Sequence, residues 1–140
     1  FKMEKGFKPM KGADGWLQAN SNILALAAHQ ASLDLFEQAG IEALRQKSLA
    51  LTGFLAFILN NLKEGKEKLT LLTPKDPAQR GCQLSLLVRP GGNAVFEAIS
   101  EEGVICDWRE PDVIRLAPAP MYNSFEEVYK LGQIMARALS

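Results

Sequence analysis

The chain has one histidine and two cysteines among its 140 residues, and that scarcity removes several chemistries at once. A single histidine, His29, would have to serve any Ser-His-Asp or Cys-His scheme, so no nucleophilic constellation assembles. It has no Cys, Asp or Glu at ligand spacing, and no other cluster has the spacing of a metal site. Two cysteines make no disulfide framework. Cys82 and Cys106 read as small buried thiols in predicted strands of a protein from a reducing compartment, which points to the cytoplasm. An excess of charge is lacking too, since 16 basic residues balance 16 acidic ones. Without a basic block or aromatic-basic interleaving, nucleic acid is not an expected partner. No apolar run approaches the ~20 residues that span a bilayer, so no membrane partner is expected, and the lysine-rich N-terminus has no apolar signal-peptide core. Pro90-Gly91-Gly92-Asn93 is a turn before a helix, not a phosphate-cradling loop.

What is present is an orderly run of elements. Residues 1–20 have loop composition, with Phe1, Phe7 and Trp16 as anchors that a free domain would leave partly exposed. Position 1 is phenylalanine and the first methionine, Met3, lies in a turn-rich segment, the look of a piece of a longer protein. Ser21 or Asn22 caps a helix whose apolar face is Ile23, Leu26, Ala27, Leu33 and Phe36, and Gly40 ends it. A second helix, from about Ile41 to Leu62, carries Leu44, Leu51, Leu55, Ile58 and Leu62 at helical spacing. The two are joined almost without a loop, which suggests a long arm. From Lys66 the pattern changes to strands at Leu69–Thr73 and Gln83–Val88. A helix capped by Asn93 follows, with Val95, Phe96 and Ile99 inward. Strands at Val104–Trp108 and Val113–Leu116 come next, then a last helix opened by the Ser124–Glu127 capping box. Val128, Leu131, Ile134, Met135 and Leu139 form its core face. Strand–strand–helix–strand–strand–helix with short turns such as Glu110–Asp112 requires antiparallel neighbours. The fold class is therefore α+β, a small four-stranded, mostly antiparallel sheet with helices on one face.

The charged residue that most needs explaining is Arg115, framed by Ile114 and Leu116. Strand residues alternate faces, so Arg115 points away from the core that its neighbours fill. Pro118 and Pro120 stiffen the turn that follows. A planar five-donor guanidinium on such a frame suits bidentate capture of a carboxylate or phosphate. It equally suits a structural ion pair with an acid such as Asp107 or Glu110, and spacing alone favours the ion pair.

Three stretches carry a resemblance. GADGWLQANSNILALAAHQASLDLFEQAGIEALRQKS resembles the kynureninase segment in which Gly-Trp-x-x-Ser-Asn precedes two long helices. TPKDPAQRGCQLSLLV is similar to that family's Pro-x-Asp-x-x-x-Arg-Gly stretch before a strand. GVICDWREPDVIRLAPAPMYNSFEEVYKL resembles the family's end, with its Cys-Asp, Ile-Arg-x-Ala-Pro and Tyr-Asn-Ser-Phe elements. The match covers nearly the whole chain, in order. It departs at Ala19, where the family has serine, and at Ser21-Asn22, where it has a proline-containing pair.

Kynureninases are cytoplasmic homodimeric pyridoxal 5'-phosphate enzymes of fold type I in tryptophan catabolism. They hydrolyse L-kynurenine or 3-hydroxykynurenine to L-alanine and anthranilate or 3-hydroxyanthranilate. The resemblance implies a loop from the large domain and active-site edge over residues 1–21, a long helical connection over 22–64, and a C-terminal small domain over 65–140. By position in the motifs, Arg115 corresponds to the arginine that binds the substrate α-carboxylate, Asn20 to an asparagine at the cofactor site, and Trp16 to the motif tryptophan beside it. No lysine here has the context of the Schiff-base lysine, so catalytic residues are expected in a large domain outside this chain, and the chain by itself is expected to be inactive and not to hold the cofactor. The alternatives are the small domain of a cysteine desulfurase or aminotransferase, or a non-catalytic carboxylate-binding module.

Overall fold

The computed structural model describes residues 5–63 and 65–140; Phe1 and Met3 lie outside them. The chain forms two compact units, Phe1–Gln38 and Ala39–Ser140.

The first unit holds a short 3-10 turn, Ala13–Trp16, and helix α1, Ile23–Ala39. Asn22 begins α1, its Oδ1 accepting the Ala25 amide at 3.2 Å. The expected core-facing stripe of α1 is not a core: no residue of this helix is buried. Leu24 and Leu35 are exposed as well, so apolar side chains run all round the helix, and its own unit offers no second long element to pack on. Phe7 and Trp16 are 87% and 83% exposed, as aromatics without a neighbour should be. Gly40, at φ 76° and ψ 128°, has the positive φ that favours glycine where α1 ends, but not the left-handed helical cap.

The second unit opens with helix α2, Ile41–Asn60, one residue after α1. The sequence reads this stretch as part of a connection; in the structure α2 is a core element. Leu51 and Leu55 are fully buried among the sheet residues, and Leu44 and Leu59 nearly so. Ser48 and Thr52 are buried as well. Thr52 is satisfied by donating its hydroxyl to the Ser48 carbonyl at 2.7 Å, which removes the cost of sinking it.

Strands β1 (Leu69–Leu71), β2 (Leu84–Val88), β3 (Asp107–Arg109) and β4 (Val113–Leu116) form one sheet in the order β1-β2-β4-β3. Every neighbouring pair is antiparallel, which confirms the α+β class. Helix α3, Gly92–Glu101, joins β2 to β3, and α4, Phe125–Leu139, ends the chain. Leu84, Leu86, Val88, Ile114 and Leu116 face one way and pack with α2, α3 and α4 in a single cluster with Ile99, Met135 and Leu139. On this side Phe96 lies against Trp108 at 5.6 Å between ring centroids.

Two local expectations change. Asn93 does not cap α3: Gly91 does, with φ 84° and no side-chain hydrogen bond, while the Asn93 amide donates to Glu97. Strand β3 starts at Asp107 rather than Val104, because Val104 is tied back to the end of α3 through the Ile99 carbonyl. Cys82 and Cys106 are free and half-buried, each just ahead of a strand rather than within it. The capping box stands as expected: Ser124 Oγ accepts from the Glu127 amide and Glu127 Oε2 from the Ser124 amide. Gly132 lies where α4 meets α2, and a Cβ there would run into Cγ2 of Ile58, so the two helices are closer than any side chain at this point would allow.

Candidate carboxylate site on the open face of the sheet

Alternation along β4 buries Ile114 and Leu116 and turns Val113 and Arg115 to the opposite face. The helices that fill the core lie on the first face, so the second is open within this unit. Pairing decides who meets Arg115 there. The turn Glu110–Asp112 sets Arg109 against Val113 and therefore Asp107 against Arg115, while β2 brings Ser85 to its other side. Directly paired strand residues sit with their side chains within reach of one another.

The arginine uses that reach. Its Nε and Nη2 both donate to Oδ2 of Asp107. Oδ2 also meets Nε of Arg109, at 3.0 Å. The ion pair with Asp107 is thus real, and Glu110 is engaged elsewhere, accepting from the Trp108 indole at 3.0 Å. Within this trio two guanidiniums face one carboxylate, which leaves one positive charge. The side chains of Arg115 and Asp107 are 31% and 46% exposed, half-buried at the surface. On the β2 side, Gln83 Nε2 donates to Ser85 Oγ at 3.1 Å, which leaves the serine hydroxyl proton for another acceptor.

The segment after β4 is firmly held. Asn123 Oδ1 accepts the Ala119 amide at 2.8 Å, and the Asn123 amide returns to the Ala119 carbonyl at 2.9 Å. With Pro118 buried and the capping box following at once, the turn beyond Arg115 is rigid at both ends.

A hollow of the second unit lies elsewhere. A cavity of about 550 Å³ opens on the helix side, lined by Cys106, Leu116, Pro118, Tyr122 and Leu131 among others. Arg115 does not line it. Burial, with the charge of Asp107 adding to it, pushes the Cys106 thiol above its ordinary pKa, so this cysteine is a poor nucleophile at neutral pH. Among the described residues no group of His, Cys, Asp and Glu is placed to hold a metal ion, and His29 is exposed on α1. No helix among them is long and apolar enough to cross a membrane.

Trp16 and Asn20 belong to the first unit, Trp16 closing the 3-10 turn and Asn20 in the loop before α1; both are exposed. Arg115, by contrast, sits in the second unit with Asp107, Arg109, Ser85 and Gln83. Of these partners the sequence reading names only Asp107. Arg109 was within its reach, since Asp107 and Arg109 are two apart on one strand and the short turn dictates the pairing, whereas Ser85 arrives through the long-range β2–β4 pairing.

Residues 44–135 match the family model described as Kynureninase C-terminal domain. Curated relatives agree. The chain is 47% identical over 133 residues, 95% of its length, to a kynureninase of Koribacter versatilis. It is 52% identical over 134 residues, 94% of its length, to one of Xanthomonas campestris pv. campestris. It is 46% identical over 140 residues, 99% of its length, to one of Flavobacterium psychrophilum. Those stretches are 31%, 31% and 33% of the relatives, so the chain spans about a third of their length. A desulfurase, an aminotransferase or a stand-alone binding module is not favoured by these matches. The chain belongs to the kynureninase family, residues 44–135 matching the model of its C-terminal domain.

Proposed function

We propose that this chain supplies the substrate-carboxylate site of an enzyme that hydrolyses L-kynurenine, or its 3-hydroxy form, to L-alanine and anthranilate or 3-hydroxyanthranilate. The observation that carries the reading is Arg115, half-buried on the uncovered face of the sheet, in a cluster with one positive charge to spare. A charge-assisted pair with the α-carboxylate would fix one end of the substrate and so orient the bond to be broken. The rigid turn after β4 and the Asp107 contact hold the guanidinium before the substrate arrives.

Pyridoxal 5'-phosphate would supply the electron sink for this reaction when bound. An exposed indole at Trp16 and an exposed primary amide at Asn20 suit the border of a planar ring, and they cannot by themselves enclose a phosphate. The chain therefore fits the edge of such a site, with Asn20 and Trp16 as its contributors. The catalytic residues, and the groups that hold the phosphate and the ring nitrogen, belong to a large domain. In this reading the complete enzyme is a cytoplasmic homodimer, and the chain alone is inactive.

The experiment is kynurenine hydrolysis by the complete protein, read as anthranilate fluorescence, with Arg115→Ala beside the unaltered enzyme. Turnover with a raised KM in the variant supports the reading. A complete protein that leaves kynurenine untouched overturns it.

A further inference from the structure

We propose that Asp107 is the positioning residue for Arg115, taking one edge of the guanidinium so that the other is presented to the incoming α-carboxylate. The inference rests on the reading of Arg115 as the carboxylate ligand and adds the residue that aims it.

A guanidinium offers two bidentate edges, one formed by Nε and Nη2 and one by Nη1 and Nη2. In the structure Asp107 Oδ2 accepts from both Nε and Nη2, so the side-on edge is taken. Among the described residues Nη1 has no hydrogen-bond partner, and the end-on edge is the one that remains. A substrate carboxylate would therefore meet Arg115 end-on, through Nη1 and the second proton of Nη2.

Asp107 is itself well fixed. It stands opposite Arg115 in the β3–β4 ladder, and its Oδ2 is held from the far side by Nε of Arg109 at 3.0 Å. Arg109 keeps the carboxylate from swinging across to the end-on edge, and it offsets the charge that Asp107 would otherwise set against an anionic substrate. Two opposite effects of Asp107 on binding are conceivable: it aims the guanidinium, and it competes for its charge. The pair is a third to a half exposed, where water weakens Coulombic competition, so aiming wins. A long side chain already held in its binding rotamer gives up less entropy when the ligand arrives.

The test is steady-state kinetics of the complete enzyme on kynurenine. Asp107→Ala should raise KM about tenfold and leave kcat within about twofold, the cost of ordering a free arginine on binding. Asp107→Asn, whose amide oxygen still accepts from the guanidinium, should recover most of the loss. The inhibition constant of the substrate's α-carboxamide, which lacks the anion, should hardly move in either variant, whereas a general structural defect would weaken it too. In an Arg115→Lys background, Asp107→Ala should add little. Should Asp107→Ala fail to fold, Asp107→Ser, too short to reach the guanidinium, carries the same comparison. A KM at or below the unaltered value in Asp107→Ala would mean competition rather than aiming and would overturn the inference. So would an equal penalty in the Arg115→Lys background. If Arg115→Lys alone leaves KM unchanged, the carboxylate reading itself fails, a result distinct from either.

Discussion

Gly132→Ala sets two calculable effects against each other. The substitution adds a methyl group where α4 crosses α2, and that methyl falls well inside van der Waals contact with Cγ2 of Ile58, with Cδ1 at 3.4 Å and Cβ at 3.6 Å. Ile58 is β-branched and nearly locked at χ1 in a helix, so its methyl cannot rotate away without lifting α4 from α2. Overpacking of this kind costs about 1–3 kcal/mol. Replacing a mid-helix glycine by alanine returns about 1 kcal/mol of helix propensity. The net expected change is a destabilisation of about 1 kcal/mol, read as a lower urea midpoint with an unchanged slope. The sign should reverse when the obstacle is removed. In an Ile58→Ala background the clash is gone and only the propensity remains, so Gly132→Ala should stabilise by about 1 kcal/mol. The two backgrounds would thus differ by about 2 kcal/mol, a coupling typical of residues in direct contact. A Gly132→Ala protein more stable than the original, or the same change in both backgrounds, would refute the account of how α4 seats on α2.

Glu127 gives a pH prediction. Hydrogen bonds from the Ser124 amide and hydroxyl, and then from Asn123, hold its carboxyl below the ordinary value near 4.5. A carboxylate with a lowered folded-state pKa contributes stability above its unfolded value and loses it as pH falls through the folded one. Glu127→Gln should therefore lower stability most at neutral pH, with the difference from the unaltered protein shrinking as pH falls below ~4.5, as urea midpoints across pH would record. Leu55→Ala tests whether α2 is a core element: Leu55 has 0% exposure, and its truncation should cost about 2–5 kcal/mol, whereas a helix acting only as a connection would hardly register it in a urea titration.

Much of the fold is legible because local chemistry and tertiary context agree. The capping box at Ser124 needs only residues three apart, and the apolar positions of α4 fall on one stripe, so both were readable. Strand β4 is bounded by turn residues on both sides, and its limits are those the pattern gives. Where two residues compete for one role, reading the sequence fails. Asn93 has the chemistry of a cap, but the left-handed turn at Gly91 starts α3 earlier and leaves Asn93 inside the first turn. Ser48 and Thr52 look like surface positions, and the local bond from Thr52 to the Ser48 carbonyl is what makes the burial of Thr52 tolerable. Helix α1 has apolar residues enough for a stripe, yet Leu24 and Leu35 spread them round the circumference, and no periodicity says which side is covered. The site was half-readable. Alternation put Arg115 on the far face, and Asp107 was one of two acids in range. The choice between them required the register of the β3–β4 turn, from which Arg109 also follows.

The most direct test of the central claim compares the complete enzyme with its Arg115→Ala and Arg115→Lys variants on two ligands that differ only at the α-carboxyl group. The account predicts that KM for kynurenine rises at least about tenfold in Arg115→Ala, since a charge-assisted pair is worth roughly 1.5–3 kcal/mol. Lysine should restore part of it, and the inhibition constant of the α-carboxamide should stay where it was. Wild-type KM for kynurenine in Arg115→Ala, or equal weakening of both ligands, would contradict it and return Arg115 to a purely structural pair with Asp107.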